Sequence, residues 1–408
     1  MRKAAALLAL GLGFLLAACS GGGAPGNGGN GGGGDVTVTV TATGASAAAY
    51  RAGGGSWQVP SDPTSFTFTV TAGGAYDVVV RCGDNVSVLS LTTDDLNALD
   101  ASCSAAPPAT ISFNVSYDAS GVTGAAVVEI VHKASGFGGQ VSNNLTGTFS
   151  VSDGVEGQQD LVILVYDSNI PPNLLAAKMY TVTATDGAAF DFTGAGDAIT
   201  DSDAPTMANL PDFSAQVPAG WAGLWRVTAV TPNGTLVSPY GAIPTSSGGP
   251  YPELGFADRN VFMVAAENPP YGIGSFFVRA SGAPTISLPA PIDPSVSGSP
   301  VSVANLTVGA NLLAYTINVE WGTAVVVNVV ISKAYLGSAT GYSLPDLTAL
   351  SGFADTLPAI GDTVNVTVTA VESNRTIAEL ANLGDTGMFF LPDGSDLMIS
   401  EKTVSYGL

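Results

Sequence analysis

Catalysis by acid–base or nucleophilic chemistry usually draws on histidine, an activated serine or cysteine, or paired carboxylates. This chain of 408 residues holds one histidine, His132, in the run Val128-Glu129-Ile130-Val131-His132-Lys133. Strand alternation puts His132 on the same face as Val128 and Ile130, which is the position of a core residue rather than of a proton shuttle. No serine sits in a G-x-S-x-G elbow; Gly337-Ser338-Ala339-Thr340-Gly341 has the wrong spacing. Gly136-Phe137-Gly138 and Gly194-Ala195-Gly196 each lack the third glycine of a dinucleotide loop and read as turns. A glycosidase needs only two carboxylates, and nothing singles out a pair among the 33 acidic residues. The expectation is a protein that is not an enzyme.

Two groups of residues point to binding instead. Asp197, Asp201 and Asp203 lie within seven positions and offer oxygen ligands of the kind Ca²⁺ collects six to eight at a time. They lack the glycine and late glutamate of an EF-hand, so a solvated acidic linker competes with a calcium site, and no other cofactor is expected. Trp221 and Trp225, with Tyr240 and Tyr251 nearby, could stack on a sugar or on a partner's apolar surface. The competing reading is that tryptophans in sheet proteins are core. Residues 238–255 form a long stretch without a strand signal and the most site-like loop, since loops of that length tend to carry function.

The elements that must position these residues are strands. Val36-Thr37-Val38-Thr39-Val40-Thr41, Phe66-Thr67-Phe68-Thr69-Val70-Thr71 and Val364-Asn365-Val366-Thr367-Val368-Thr369 alternate strictly, as strands buried on one face do. A dozen further segments have strand character, among them the apolar run 161–166 and the core-like stretch 324–330, and Gly, Pro, Asn and Asp clusters such as Pro232-Asn233-Gly234 separate them. Helical signal is confined to short pieces near 94–99 and 376–383. The fold class is therefore all-β, with tandem antiparallel β-sandwich modules at about 35–108, 109–203, 204–291 and 292–408. Irregular strand lengths and 25 prolines argue against an outer-membrane barrel. The pattern resembles immunoglobulin-like and fibronectin-III-like modules, which would imply a scaffold that displays its loops.

The N-terminus supplies an address. Arg2 and Lys3 precede an uncharged apolar stretch, Ala4 to Leu16, too short to span a bilayer comfortably, and Leu16-Ala17-Ala18-Cys19 follows. This resembles the lipobox of bacterial lipoproteins. The resemblance implies a signal peptide over 1–18, cleavage before Cys19, and acylation (palmitate among the chains) that anchors the protein to the membrane through its N-terminal lipid. Ser20 in place of Asp favours the outer membrane where there is one, facing periplasm or surface. Residues 19–34 are then the lipidated cysteine and a flexible Gly-rich tether. Of three cysteines, Cys19 is used by lipid, leaving Cys82 and Cys103 as an even pair in an oxidising compartment, where a disulfide is expected. The net charge of −21, with 12 Lys+Arg, leaves no footprint for nucleic acid. Together these features describe a cell-envelope lipoprotein with a structural or binding role, its partner an envelope protein or a glycan. The alternative is a carbohydrate-binding or adhesion module with calcium-stiffened joints.

Overall fold

The computed structural model describes residues 34–103, 109–134, 137–307, 309–322, 325–381 and 387–408. The expected signal peptide, Cys19 and the expected tether up to residue 33 lie outside the described residues. Within them the chain is all-β, built of antiparallel sheets with two short helices, Lys333–Leu336 and Ile377–Ala381.

The strictly alternating segments form as their pattern dictates. Asp35–Thr41 and Ser65–Thr71 pair antiparallel, with Val38, Val40, Phe66, Phe68 and Val70 inward and Thr37, Thr39, Thr67 and Thr69 toward solvent. The expected turn near 94–99 is shorter than its pattern suggested. The Asp95 carboxylate accepts from the Thr92 amide and hydroxyl, and Ala98–Asp100 then continues as a strand parallel to 39–41. The second helical expectation holds over Ile377–Ala381, where Thr376 and Glu379 exchange hydrogen bonds across the first turn, the reciprocal arrangement that satisfies otherwise orphaned amides.

One sheet of eleven strands dominates. Its order is Leu236–Val237, Ala222–Val230, Arg259–Asn268, Tyr271–Arg279, Asp396–Gly407, Thr363–Ser373, Leu312–Trp321, Val325–Ser332, Asn85–Thr92, Ala75–Cys82 and Ala47–Ala52. All neighbours are antiparallel except Val325–Ser332 and Asn85–Thr92, which run parallel. This corrects the modular expectation. Segments 35–108, 204–291 and 292–408 do not form freestanding sandwiches, because their strands are hydrogen-bonded edge to edge in one sheet: Tyr271–Arg279 pairs with Asp396–Gly407 across the 291/292 boundary. The physical reason is that an unpaired edge invites pairing, and here the chain covers its own edges.

Both faces of this sheet are buried over most of its area. One face packs on the small sheet of Asp35–Thr41, Ser65–Thr71 and Ala98–Asp100, and on Ile377 and Leu380. The other is covered at one end by Val303, Tyr342, Leu347 and Phe353, and at the other by Leu210, Phe213 and Tyr251.

Residues 110–192 contribute two sheets of their own around a core of Phe113, Val115, Tyr117, Leu161, Ile163 and Val165. The strand Gly157–Tyr166 explains the unbroken apolar run in the sequence. Leu161, Ile163 and Val165 face that core, while Val162, Leu164 and Tyr166 face outward onto Ala229, Val237 and Leu254. A strand buried on both faces has no solvent side to keep polar. The sandwich is thereby docked on the large sheet.

Candidate functional site

The joint between that sandwich and the large sheet is where the sequence had gathered most of its binding candidates. Trp225 and Tyr251 project from the strands Ala222–Val230 and Gly249–Glu253, and Tyr240 from the segment between them. Residues 238–255 are not one open loop: Gly249–Glu253 pairs with Thr206–Leu210, and Ile243 bridges back to Trp225. The pairing folds this stretch over the sheet and buries its aromatic residues. Trp225 is 2% exposed and Tyr251 0%.

Trp225, Tyr240 and Tyr251 meet around one recess, with Pro239, Pro252, Val227, Ala229 and Asn260 completing its wall. The Tyr240 hydroxyl accepts from the Leu174 amide at 3.3 Å, and the Tyr166 hydroxyl donates to the Pro239 carbonyl at 2.9 Å, so the rim is tied to the docked sandwich. Burial, with the neighbouring Glu253 carboxylate, raises the Tyr251 hydroxyl to about 12, so it stays protonated and donates toward Glu253. The recess has room for about one water molecule, which excludes a sugar ring. Trp221 stands apart, half-buried, with its ring 6.1 Å from that of Tyr271. The expected aromatic platform is therefore corrected: three of the four residues converge, but as wall and core, and the fourth lies elsewhere.

The acidic cluster is corrected as well. Asp201 accepts from the Thr123 amide and hydroxyl at 2.7 and 2.8 Å, bonds that hold its carboxyl below the ordinary range. Asp203 accepts from the Thr200 amide and lies 3.9 Å from Lys178 Nζ. The Asp197 carbonyl accepts from Tyr180. Each is engaged by a protein group in tying the end of this segment to the sandwich. Among the described residues no three His, Cys, Asp or Glu side chains come together as a metal site.

His132 is fully buried against Phe113, edge to face, and its Nε2 lies 2.9 Å from Asp153. Cys82 and Cys103 form a disulfide with Cα atoms 5.3 Å apart, beside the core face that holds Tyr76, Val78 and Val80, as strand parity predicts. Cys19 lies outside the described residues.

Two polar arrangements escaped sequence reasoning. At the joint, buried Asp160 accepts from Thr181 Oγ1, the Asn233 amide and Asn233 Nδ2 at 2.7–2.9 Å, while the Thr235 hydroxyl donates to its carbonyl. Burial pushes the Asp160 carboxyl up, but the bonds from Thr181 and Asn233 outweigh it and hold the group below its usual range. Lys133 Nζ donates to the Asn233 carbonyl, so the Pro232-Asn233-Gly234 turn is gripped from both sides. The signal was present in the sequence as a carboxylate directly preceding an apolar run, but its partner lies 73 positions away.

The second arrangement closes the far end of the large sheet. Asp77, 1% exposed, accepts from Arg51 Nε at 2.6 Å, Ser90 Oγ at 2.5 Å and the Tyr335 hydroxyl at 3.1 Å, while Ser90 and Tyr342 share a further bond. Arg51 also lies over the Trp57 ring at 4.7 Å. This network joins segment 34–103 to segment 325–381.

No family model matches the chain, and none of the curated proteins matches it. Among solved structures, it is similar to the pilus adhesin SpaC from Lactobacillus rhamnosus GG in its open conformation. The identity is 10% and the TM-score 0.13, over 73% of this chain and 43% of that one, a likeness too slight to bear on function.

Proposed function

We propose that the chain is an exported lipoprotein of the cell envelope, with a non-enzymatic structural or binding role on an anchored, all-β body. The Cys82–Cys103 disulfide carries this reading, because structural disulfides belong to oxidising compartments outside the cytoplasm. The lipobox-like Leu16-Ala17-Ala18-Cys19 and the Gly-rich tether give that body an anchor and a reach of about 50 Å when stretched. A scaffold role is further supported by the way polar groups are spent. Asp77, Asp160 and Asp201 each hold segments together, and the recess where Trp225, Tyr240 and Tyr251 converge is too small for a glycan. The carbohydrate-binding alternative therefore draws no support from the residues first chosen for it.

Cell fractionation of wild type and Cys19→Ala, with non-reducing mass mapping of the exported protein, tests this. The wild type should partition with membranes, Cys19→Ala should be uncleaved or shed, and a linked peptide should contain Cys82 and Cys103. Normal membrane retention of Cys19→Ala, or a protein confined to the cytoplasm, would overturn the reading.

A further inference from the structure

The strand Ser65–Thr71 has one open edge. On its other side it pairs with Asp35–Thr41, and two bonds bracket that ladder: the Ala42 amide donates to the Thr64 carbonyl at 2.7 Å, and the Ala72 amide to the Gly34 carbonyl at 3.1 Å. Bonded and non-bonded pairs alternate along an antiparallel ladder, so these two bonds fix its phase. Phe66, Phe68 and Val70 exchange bonds with Asp35–Thr41, while the amides and carbonyls of Ser65, Thr67, Thr69 and Thr71 point the other way. The Thr39 amide and Thr41 carbonyl, which bond Asn97 and Ala101 on the far side of Asp35–Thr41, keep the same phase. Two outward groups are occupied at the ends of the strand. The Thr71 carbonyl accepts from the Gly74 amide at 2.8 Å, and the Ser65 amide lies against the Asp62 carboxylate. Among the described residues no backbone group pairs with the others: the Ser65 carbonyl, both groups of Thr67 and of Thr69, and the Thr71 amide.

From this pattern we infer that Ser65–Thr71 is a self-association edge, to which a second copy of the chain adds the same strand, antiparallel, about a two-fold axis at Phe68. In that register Thr67 lies opposite the second copy's Thr69, and Ser65 opposite its Thr71. Each Thr67–Thr69 pair exchanges two bonds. Each Ser65–Thr71 pair makes one, from the free Thr71 amide to the free Ser65 carbonyl, and the two occupied groups fall opposite each other. Free donors thus meet free acceptors along the whole strand, which is the self-complementarity that a two-fold contact demands. Charge is consistent with this occupant. At a net charge of −21 two copies repel over most of their surfaces, but 65–71 carries no charge. Folded proteins commonly blunt an edge with a charge, a proline, a bulge or a cover. Ala47–Ala52 is covered by Gln58, Leu174–Ala184 carries Lys178, and Thr146–Val155 breaks its ladder between Val151 and Gly154. Ser65–Thr71 has none of these devices, and its exposed Thr67 and Thr69 are good strand formers. The inference is independent of where the protein is anchored.

Sedimentation of the full chain over a concentration series tests it. Wild type should pass from monomer to dimer as concentration rises, and added salt should favour the dimer by screening the acidic bodies. Thr67→Pro removes an outward amide from each copy and touches no bond to Asp35–Thr41, so it should weaken the dimer roughly tenfold or more and leave the fold intact. Cysteine pairing reads the register. In a mixture of Thr67→Cys and Thr69→Cys chains, the linked peptides should join position 67 to position 69, with Cα atoms about 5.5 Å apart, in preference to 67 with 67, at about 7–8 Å. A wild type that stays monomeric throughout would overturn the inference and leave the edge to an extended segment of another protein. A dimer equally strong in Thr67→Pro would overturn it too. Should Thr67→Pro fail to fold, the cysteine mixture decides: preferential linkage of 67 to 69 supports the register, and indiscriminate or absent linkage refutes it.

Discussion

In the docked sandwich, every strand pairing stays within residues 110–192, and two of the five are hairpins. Val127–Lys133 turns into Phe137–Ser142, and Gly157–Tyr166 into Leu174–Ala184. In the large sheet, hairpins are stitched together by long-range pairs: Val326 lies opposite Asn85, and Tyr271 opposite Lys402. Loop-closure entropy must be paid before such distant pairs contribute, so the two regions differ in how they hold together. The sandwich relies on local pairing and a compact apolar core. The large sheet needs specific polar clasps at its seams, and Asp77 and the Cys82–Cys103 disulfide both sit on its N-terminal strands.

That contrast can be broken first at Asp77. Asp77→Ala removes one partner of a buried ion pair and takes an acceptor from Arg51, Ser90 and Tyr335, which should cost about 3–5 kcal/mol. Urea titration would give the loss. Hydrogen exchange should show it falling on 75–92 and 325–332 while 157–184 stays protected. Equal loss of protection in both regions would mean that the seam and the sandwich unfold as one unit.

The joint is the next test. Asn233→Ala deletes the side-chain bond to Asp160 Oδ1 while keeping the amide bond, at a cost of roughly 1–3 kcal/mol for a partly unsatisfied buried carboxylate. Because folding holds the Asp160 carboxyl below its usual range, its stabilisation is present above the ordinary carboxylate range and is lost as pH falls through the lowered value. Asn233→Ala should weaken that acid dependence. An unchanged acid limb would remove Asn233 from the account.

Glu401 sharpens the comparison in the opposite direction of pH. Burial in the large sheet raises its carboxyl from 4.5 to about 7, with Thr369 Oγ1, 3.4 Å away, offsetting only part of this. The folded chain keeps a proton that the unfolded chain releases. Between those two values stability should therefore fall as pH rises, by roughly 2–3 kcal/mol. Thermal melts of Glu401→Gln should lose that slope. A wild-type melting temperature flat from pH 5 to 7 would count against a buried, protonated Glu401.

The smallest effect is expected from calcium. With Asp201 and Asp203 engaged by Thr123 and Thr200, millimolar Ca²⁺ should leave the melting temperature unchanged. A rise abolished by replacing Asp197, Asp201 and Asp203 with Asn would restore the metal reading.

Period-two alternation was enough to locate Asp35–Thr41, Ser65–Thr71 and Thr363–Ser373, because a strand with one wet face must write that face in its residue types. Parity likewise placed Cys82 with Tyr76, Val78 and Val80, and His132 with Val128 and Ile130 in the core. Less legible was Ala47–Ala52, whose small residues carry little alternation yet form the edge of the large sheet. Gly249–Glu253 was hidden by its own Gly249, Pro250 and Pro252 and by lying within a stretch without strand signal.

What residue types determined by themselves, then, was the all-β class, which face of most strands is buried, and the pairing of two cysteines once an exported setting is assumed. Tertiary structure alone decided which strands are neighbours, and with it the fate of the chosen site residues. Side-chain pattern reports the face that a strand buries but not the partner at its edge, since backbone hydrogen bonds are the same for every sequence. Trp225 and Tyr251 became wall rather than platform because Gly249–Glu253 pairs with Thr206–Leu210 and closes over them. The acidic residues of 197–203 were drawn to separate partners: Asp201 to Thr123, Asp203 to Thr200 and Lys178, and Asp197, through its carbonyl, to Tyr180.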